Sequence, residues 1–175
     1  VPPLVARRPT VSTATAPPAA SASADEFVTR RWRYLLVHAG GIYGPQGVRQ
    51  SQQGWQSSRY SQGMRQELFE AFRSPQKSGI LISERRLPES TFLEAKLCLA
   101  PTGEGWGIRL VKHVLAGCVP LLSQPWIEQP FETLIDYEAF SRRLGYGEVS
   151  RLPTTLSDAS LPPSRLHEMR RALAP

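Results

Sequence analysis

Leu97-Cys98-Leu99-Ala100-Pro101-Thr102-Gly103-Glu104-Gly105-Trp106-Gly107-Ile108-Arg109-Leu110-Val111-Lys112-His113-Val114-Leu115-Ala116-Gly117-Cys118-Val119-Pro120-Leu121-Leu122 is one connected β–loop–α–β pattern. Leu97 to Ala100 is a short apolar run closed by Pro101, as expected of a buried strand. Trp106 to Ala116 has helical patterning, and Gly117 stands where a helix ends in the left-handed region. Cys118 to Leu122 is a second strand, and Pro120, which cannot donate to a ladder, makes it interrupted or edge-like there.

The same alternation extends outward. Trp32 to His38 reads as a buried strand stopped at Ala39-Gly40-Gly41. Gly44 to Ser58 has no period and reads as a long loop. Ser61 caps a helix running to Arg73, with Met64, Leu68, Phe69 and Phe72 on one face. Ile80-Leu81-Ile82 is a strand and Pro88 to Lys96 a short helix. Residues 125–144 read as mixed loop and helix. A last helix starts at Pro162-Pro163-Ser164, with Leu166, Met169 and Leu173 on one face. Strands alternating with helices imply an α/β fold with a mainly parallel sheet. Such sheets bind ligands at the carboxyl ends of their strands, which directs attention to loops 39–44, 83–88, 100–108 and 122–131.

The chain has 175 residues. Val1 to Ala24 holds five Pro, seven Ala and six Ser or Thr, with no acid and no aromatic, and reads as a disordered linker. Residues 25–175 then suffice for one core and exclude two full α/β domains. Net charge is +6, and only Lys77, Lys96 and Lys112 of the 21 basic residues are not Arg. That balance favours an anionic partner without choosing it. The short groups Arg30-Arg31-Trp32-Arg33, Arg85-Arg86, Arg142-Arg143 and Arg170-Arg171 are dispersed, and their arginines read as solvated faces. No aromatic–basic interleaving argues for nucleic acid. No apolar run is long enough for a membrane span, and the N-terminus lacks a signal-peptide layout. Cys98 and Cys118 lack metal-ligand spacing; they are free buried thiols or a disulfide. No metal site is expected.

The chemistry concentrates between the two quoted strands. Gly103, Gly105 and Gly107 alternate around Glu104 and Trp106, which lets backbone approach a ligand closely. The following helix offers N–H groups, and Arg109 in its first turn can fork onto phosphate oxygens. Together these make an anion site suited to a diphosphate. The bland alternative is a tight βα turn with Arg109 solvated. A dinucleotide fingerprint needs its third glycine one residue later, although Glu128 stands near the expected distance for a ribose acid. No Gly-Lys-Ser/Thr motif occurs. His38 ends the first strand and is either structural or a cleft residue. Trp106 either stacks on a ring or wedges the loop.

Residues 98–140 also resemble the exostosin-type glycosyltransferases, particularly their algal and plant branch. The resemblance rests on Cys98-Leu99-Ala100-Pro101-Thr102-Gly103, Arg109, Gly117-Cys118-Val119-Pro120, Gln129-Pro130-Phe131-Glu132 and Asp136-Tyr137, in order and at matching gaps. His38-Ala39-Gly40-Gly41 and Tyr60-Ser61-Gln62-Gly63-Met64-Arg65-Gln66 extend it to roughly residues 33–144. It implies a Rossmann-like sheet with flanking helices, the C-terminal donor-binding half of a two-domain GT-B enzyme. It implies transfer with inversion from a nucleotide sugar, usually UDP-linked, to a glycan or glycoprotein, with no cofactor and no obligatory metal. It implies a separate N-terminal acceptor domain, absent from this chain, and a Golgi setting reached through an anchor. It places Gly103, Glu104, Gly105, Trp106, Gly107 and Arg109 at the donor diphosphate and makes Gly40, Gly41 and Glu132 candidate donor contacts. Three residues after Arg109 the family often has an acid suited to a ribose hydroxyl. Lys112 stands there instead, as an added cation near phosphate or a solvent-facing residue. The competing readings are a non-catalytic module for acidic glycan or another polyanion, and a nucleotide-cofactor Rossmann domain.

Overall fold

In the computed structural model the described residues are 32–42, 60–72, 79–102, 107–123, 127–145 and 147–173. The linker expected at 1–24 and the loop expected at 44–58 lie outside them. Five strands form one sheet: β1 (Tyr34–Ala39), β2 (Ile80–Ser83), β3 (Ala95–Ala100), β4 (Val119–Leu122) and β5 (Arg142–Arg143). Their order is β2-β1-β3-β4-β5, and every neighbouring pair is parallel. Among the described residues, six α-helices accompany them: α1 (Met64–Phe72), α2 (Glu89–Leu93), α3 (Arg109–Leu115), α4 (Tyr137–Phe140), α5 (Leu152–Thr155) and α6 (Pro163–Arg171). This is the α/β, Rossmann-like arrangement expected.

A parallel sheet must be covered on both faces, and strand alternation divides the side chains accordingly. Leu36, Ile80, Leu97, Leu99, Val119 and Leu121 pack with Met64, Leu68 and Phe72 of α1 and with Leu166 and Met169 of α6. Val37, Cys98 and Cys118 pack on the opposite face with Phe92 of α2. Leu110 of α3 joins Ala100, Leu122 and Tyr137 in a third cluster. α1 is seated by Ser61, whose Oγ accepts the Arg65 N–H at 3.3 Å. α3 stops at Gly117, which takes φ +68° and returns its N–H to Val114 O at 2.9 Å. Leu121 and Leu122 pair with Arg142 and Arg143, but Pro120 has no β5 partner in the register, so the strand is edge-like at that residue.

Three local expectations change. The helix expected over Pro88–Lys96 ends at Leu93, and β3 begins at Ala95. Lys96 is tolerated in a buried strand because its ammonium donates to Leu156 O at 3.3 Å and pairs with the Asp158 carboxylate. Arg142 and Arg143 are not a plain solvated face: they form the fifth strand, and Arg143 pairs with Glu132. Arg170 is also not solvated, whereas Arg85, Arg86 and Arg171 are exposed. Its guanidinium lies 4.0 Å from the Trp32 ring centroid and donates to Ala95 O at 3.1 Å.

Cys98 and Cys118 are disulfide-bonded, so the free-thiol alternative is excluded. The register sets Cys98 beside Pro120, which brings Cys118, two residues earlier on the same face, to a Cα separation of 6.0 Å. The bond closes a segment that contains the glycine loop and α3. For a sequence separation of 20 residues, chain entropy alone stabilises the fold by about 3 kcal/mol. The double variant Cys98→Ala/Cys118→Ala is expected to lose a comparable amount in urea denaturation, with reductant destabilising the parent chain but not the variant.

Candidate functional site

The sheet reverses its winding between β1 and β3. From β1 the chain passes to β2 on one side, whereas β3, β4 and β5 follow one another on the other. Such a switch point opens a crevice at the carboxyl ends of the two strands. Here those ends are Ala39-Gly40-Gly41 and Ala100-Pro101-Thr102.

Two arginines converge there. Arg109, the first residue of α3, donates through Nη1 to Ala39 O. Its guanidinium lies against Gly40, where an added Cβ would come within 2.6 Å of Cζ. Gly40 also takes φ +137°, a region that only glycine adopts readily. Arg65 comes from the first turn of α1 and is 4% exposed. Its Nη1 donates to Gly41 O at 2.7 Å and its Nη2 to Thr102 O at 2.7 Å, so one guanidinium spans both strand ends.

Two histidines lie beneath this edge. His38 is fully buried on β1, and neither ring nitrogen makes a hydrogen bond of normal geometry among the described residues. Burial, then the charges of Arg109, Arg65 and His113, hold its pKa well below the usual imidazole value, against an opposing influence of the Leu99 carbonyl. His113 of α3 approaches Leu99 O through Nε2 at 3.0 Å and packs on Phe92. Burial lowers its pKa to about 4, partly opposed by the Leu99 carbonyl and reinforced by Arg109. Both rings are therefore neutral, and His38 is a buried residue rather than an exposed cleft residue.

A cleft of about 290 Å³ adjoins the crevice, between Ala100-Pro101, Gly107-Ile108 and Gln129-Pro130. Gly107 is confined: an added Cβ would lie 3.3 Å from Pro101 O. Among the described residues, the large exposed hydrophobics are Ile108, Val111 and Leu115 of the α3 segment and Phe131, Leu134 and Ile135. Ile108 and Val111 themselves line the cleft.

The structure thus brings together Gly40, Gly41, Gly107 and Arg109 of the expected site. Gly103, Glu104, Gly105 and Trp106 lie outside the described residues. Lys112 is exposed on α3. Glu132 serves the turn that precedes α4: Oε2 accepts the Gln129 N–H at 2.5 Å and Oε1 pairs with Arg143. The Gln129 N–H chiefly, and then Arg143, lower its pKa. Arg65 had no role assigned from sequence. Its only signal was its place in the Tyr60–Gln66 segment. α3 is shorter than expected, seven residues from Arg109, so the arginines rather than a long helix supply the positive charge. No cluster of three metal-ligating side chains occurs among the described residues.

A parallel sheet with a switch-point crevice defines an α/β, Rossmann-like domain whose ligand side is the carboxyl edge of its strands. A profile of the exostosin GT47 domain matches residues 8–158, and the chain belongs to that family. It is similar to "Probable beta-1,4-xylosyltransferase IRX10L" of Arabidopsis thaliana, 29% identical over 116 residues, 66% of this chain and 28% of the relative. It is 30% identical over 116 residues, 66% of this chain and 27% of the relative, to "Probable glucuronosyltransferase Os01g0926400" of Oryza sativa subsp. japonica. "Probable glucuronosyltransferase GUT1" of the same rice is 28% identical over 99 residues, 56% of this chain and 24% of the relative. The chain spans about a quarter of the length of these relatives.

Two outcomes follow from the buried groups. His113 is neutral when folded but titrates near 6.5 when unfolded, so acid favours the unfolded state. Stability should be complete above the unfolded value and fall as pH drops from 6.5 toward 4, by about 2 kcal/mol at pH 5 from His113 alone. Denaturation midpoints of His113→Gln against the parent chain across that window check it; the variant should show the shallower loss. Gly40→Ala should displace the Arg109 head and cost about 1–3 kcal/mol through its φ. Chemical denaturation measures that cost.

Proposed function

We propose that this chain is the donor-binding half of an exostosin-type glycosyltransferase, taking sugar from a nucleotide sugar, UDP-linked, and transferring it with inversion to a glycan or glycoprotein. The observation that carries the reading is the Arg109 guanidinium held against Gly40 at the β1/β3 crevice. Breaking a sugar–phosphate bond develops negative charge on the departing diphosphate. A cation already fixed in place stabilises that charge without reorganising during reaction. Arg109 takes this role, with Gly103 to Gly107 as the loop that approaches the phosphates. No resident metal or cofactor enters the reading. The relatives named as xylosyl- and glucuronosyltransferases support sugar transfer as the reaction class.

The acceptor side belongs to a second half corresponding to the larger part of those relatives. Ile108 and Val111 are exposed and line the cleft, Phe131 and Leu134 are exposed on the segment after Pro130, and these apolar residues suit the side that half would cover. The Cys98–Cys118 disulfide supports an oxidising compartment, consistent with the Golgi lumen. No helix among the described residues is long and apolar enough to cross a membrane. Glu132 is occupied by Gln129 and Arg143, so its part is to shape the 129–132 turn beside the cleft.

Calorimetry of the chain with UDP and UDP-sugars tests the proposal. UDP is expected to bind at micromolar to millimolar concentration, and Arg109→Ala to weaken it about 10- to 100-fold, the worth of a charge-assisted hydrogen bond. No binding at millimolar UDP, or binding indifferent to Arg109→Ala, overturns it. Transfer by this chain alone is expected to be slight.

A further inference from the structure

We infer that Arg65 is a positioning residue that sets the width of the β1/β3 crevice and thereby the placement of Arg109. The inference rests on the geometry and, for its ligand readout, on the donor-site reading above. β1 and β3 pair in parallel with Tyr34 beside Ala95, Leu36 beside Leu97 and Val37 beside Cys98. Beyond Val37 the two chains must diverge if anything is to lie between them. The Arg65 guanidinium bridges the two chains just past their strands, with one N–H on Gly41 O and another on Thr102 O, both at 2.7 Å.

The two carbonyls matter because of what adjoins them. Gly41 follows the glycine against which Arg109 lies, and Thr102 precedes the glycine loop. One planar fork therefore ties together the backbone on both sides of the candidate phosphate position. A lysine keeps the charge but is a single point donor on a flexible stem, without the fixed two-pronged geometry. Arg65 is itself seated: its N–H donates to Ser61 Oγ at 3.3 Å, and that hydroxyl donates to Gln66 Oε1 at 3.1 Å. Ser61 takes φ +53°, so Ser61→Gly removes the hydroxyl at a position whose backbone suits glycine.

The test compares the full chain with Arg65→Lys and Ser61→Gly, the latter as the milder variant should the lysine chain fold poorly. Hydrogen exchange without ligand is read on peptides covering residues 39–42 and 99–102, with α6 and β4 peptides as internal standards. The expected result is exchange at least tenfold faster at the two strand ends, unchanged standards, and UDP binding weakened about 10- to 100-fold, the usual cost of misplacing a binding group by about 1 Å. Arg65→Ala should be worse in binding than Arg65→Lys. Unchanged exchange at the strand ends overturns the inference. So does a uniform rise in the standards, which would make Arg65 merely structural. So does faster exchange with unaltered UDP binding. If the parent chain fails to bind UDP, the donor reading fails, and the ligand-free exchange still decides whether Arg65 braces the crevice.

Discussion

The pairing of β1 with β3 is the contact on which the rest of the molecule hangs. Leu36 opposite Leu97 and Val37 opposite Cys98 place two buried strands side by side, and their residues feed the cores on both faces. Because β2 adds on one side and β4 on the other, the helices they bring with them must pack on opposite faces. α1 lies with α6 on one face, and α2 lies on the other. The winding reverses there, so the chains leaving β1 and β3 part company and leave a crevice. Fold and site are two consequences of one pairing.

That crevice imposes an electrostatic problem with a specific solution. Carbonyls drawn into a fold need donors, and arginines drawn in with them need acceptors. Arg65 and Arg109 take carbonyls from Ala39, Gly41 and Thr102, so each need answers the other. The cost falls on the histidines nearby. Buried beside two guanidinium groups, an imidazolium at His38 is disfavoured, and the ring stays neutral. A positively charged edge above neutral rings is a setting in which an anion gains more than it would in water, because the local dielectric is low.

The strands read from sequence survive because a buried strand has a simple signature, a short apolar run stopped by glycine or proline. Leu97 to Ala100 and Val119 to Leu122 lie where that rule puts them. The rule fails where burial is carried by polar groups. Lys96 looks helical and exposed, yet sits in β3 because Leu156 O and Asp158 are waiting for it. Arg142 and Arg143 carry no strand signal; two residues suffice because Leu121 and Leu122 offer them an open edge. Arg170 reads as surface until Trp32 and Ala95 O are known. In each case the partner is remote in the chain, so no local window contains it.

Local sequence by itself determined the alternation of strands and helices, the edge-like character of Pro120 and the glycine stop after α3. These follow from short-range rules: side-chain period, a missing N–H, a positive φ. Tertiary structure alone decided that Cys98 and Cys118 bond, that Glu132 holds a turn with Arg143, and that Arg65 spans the two strand ends. Each of those depends on inter-strand register or on helix placement. A one-residue change of register would turn Cys98 to the other face and away from Cys118, while leaving every local signal as it was.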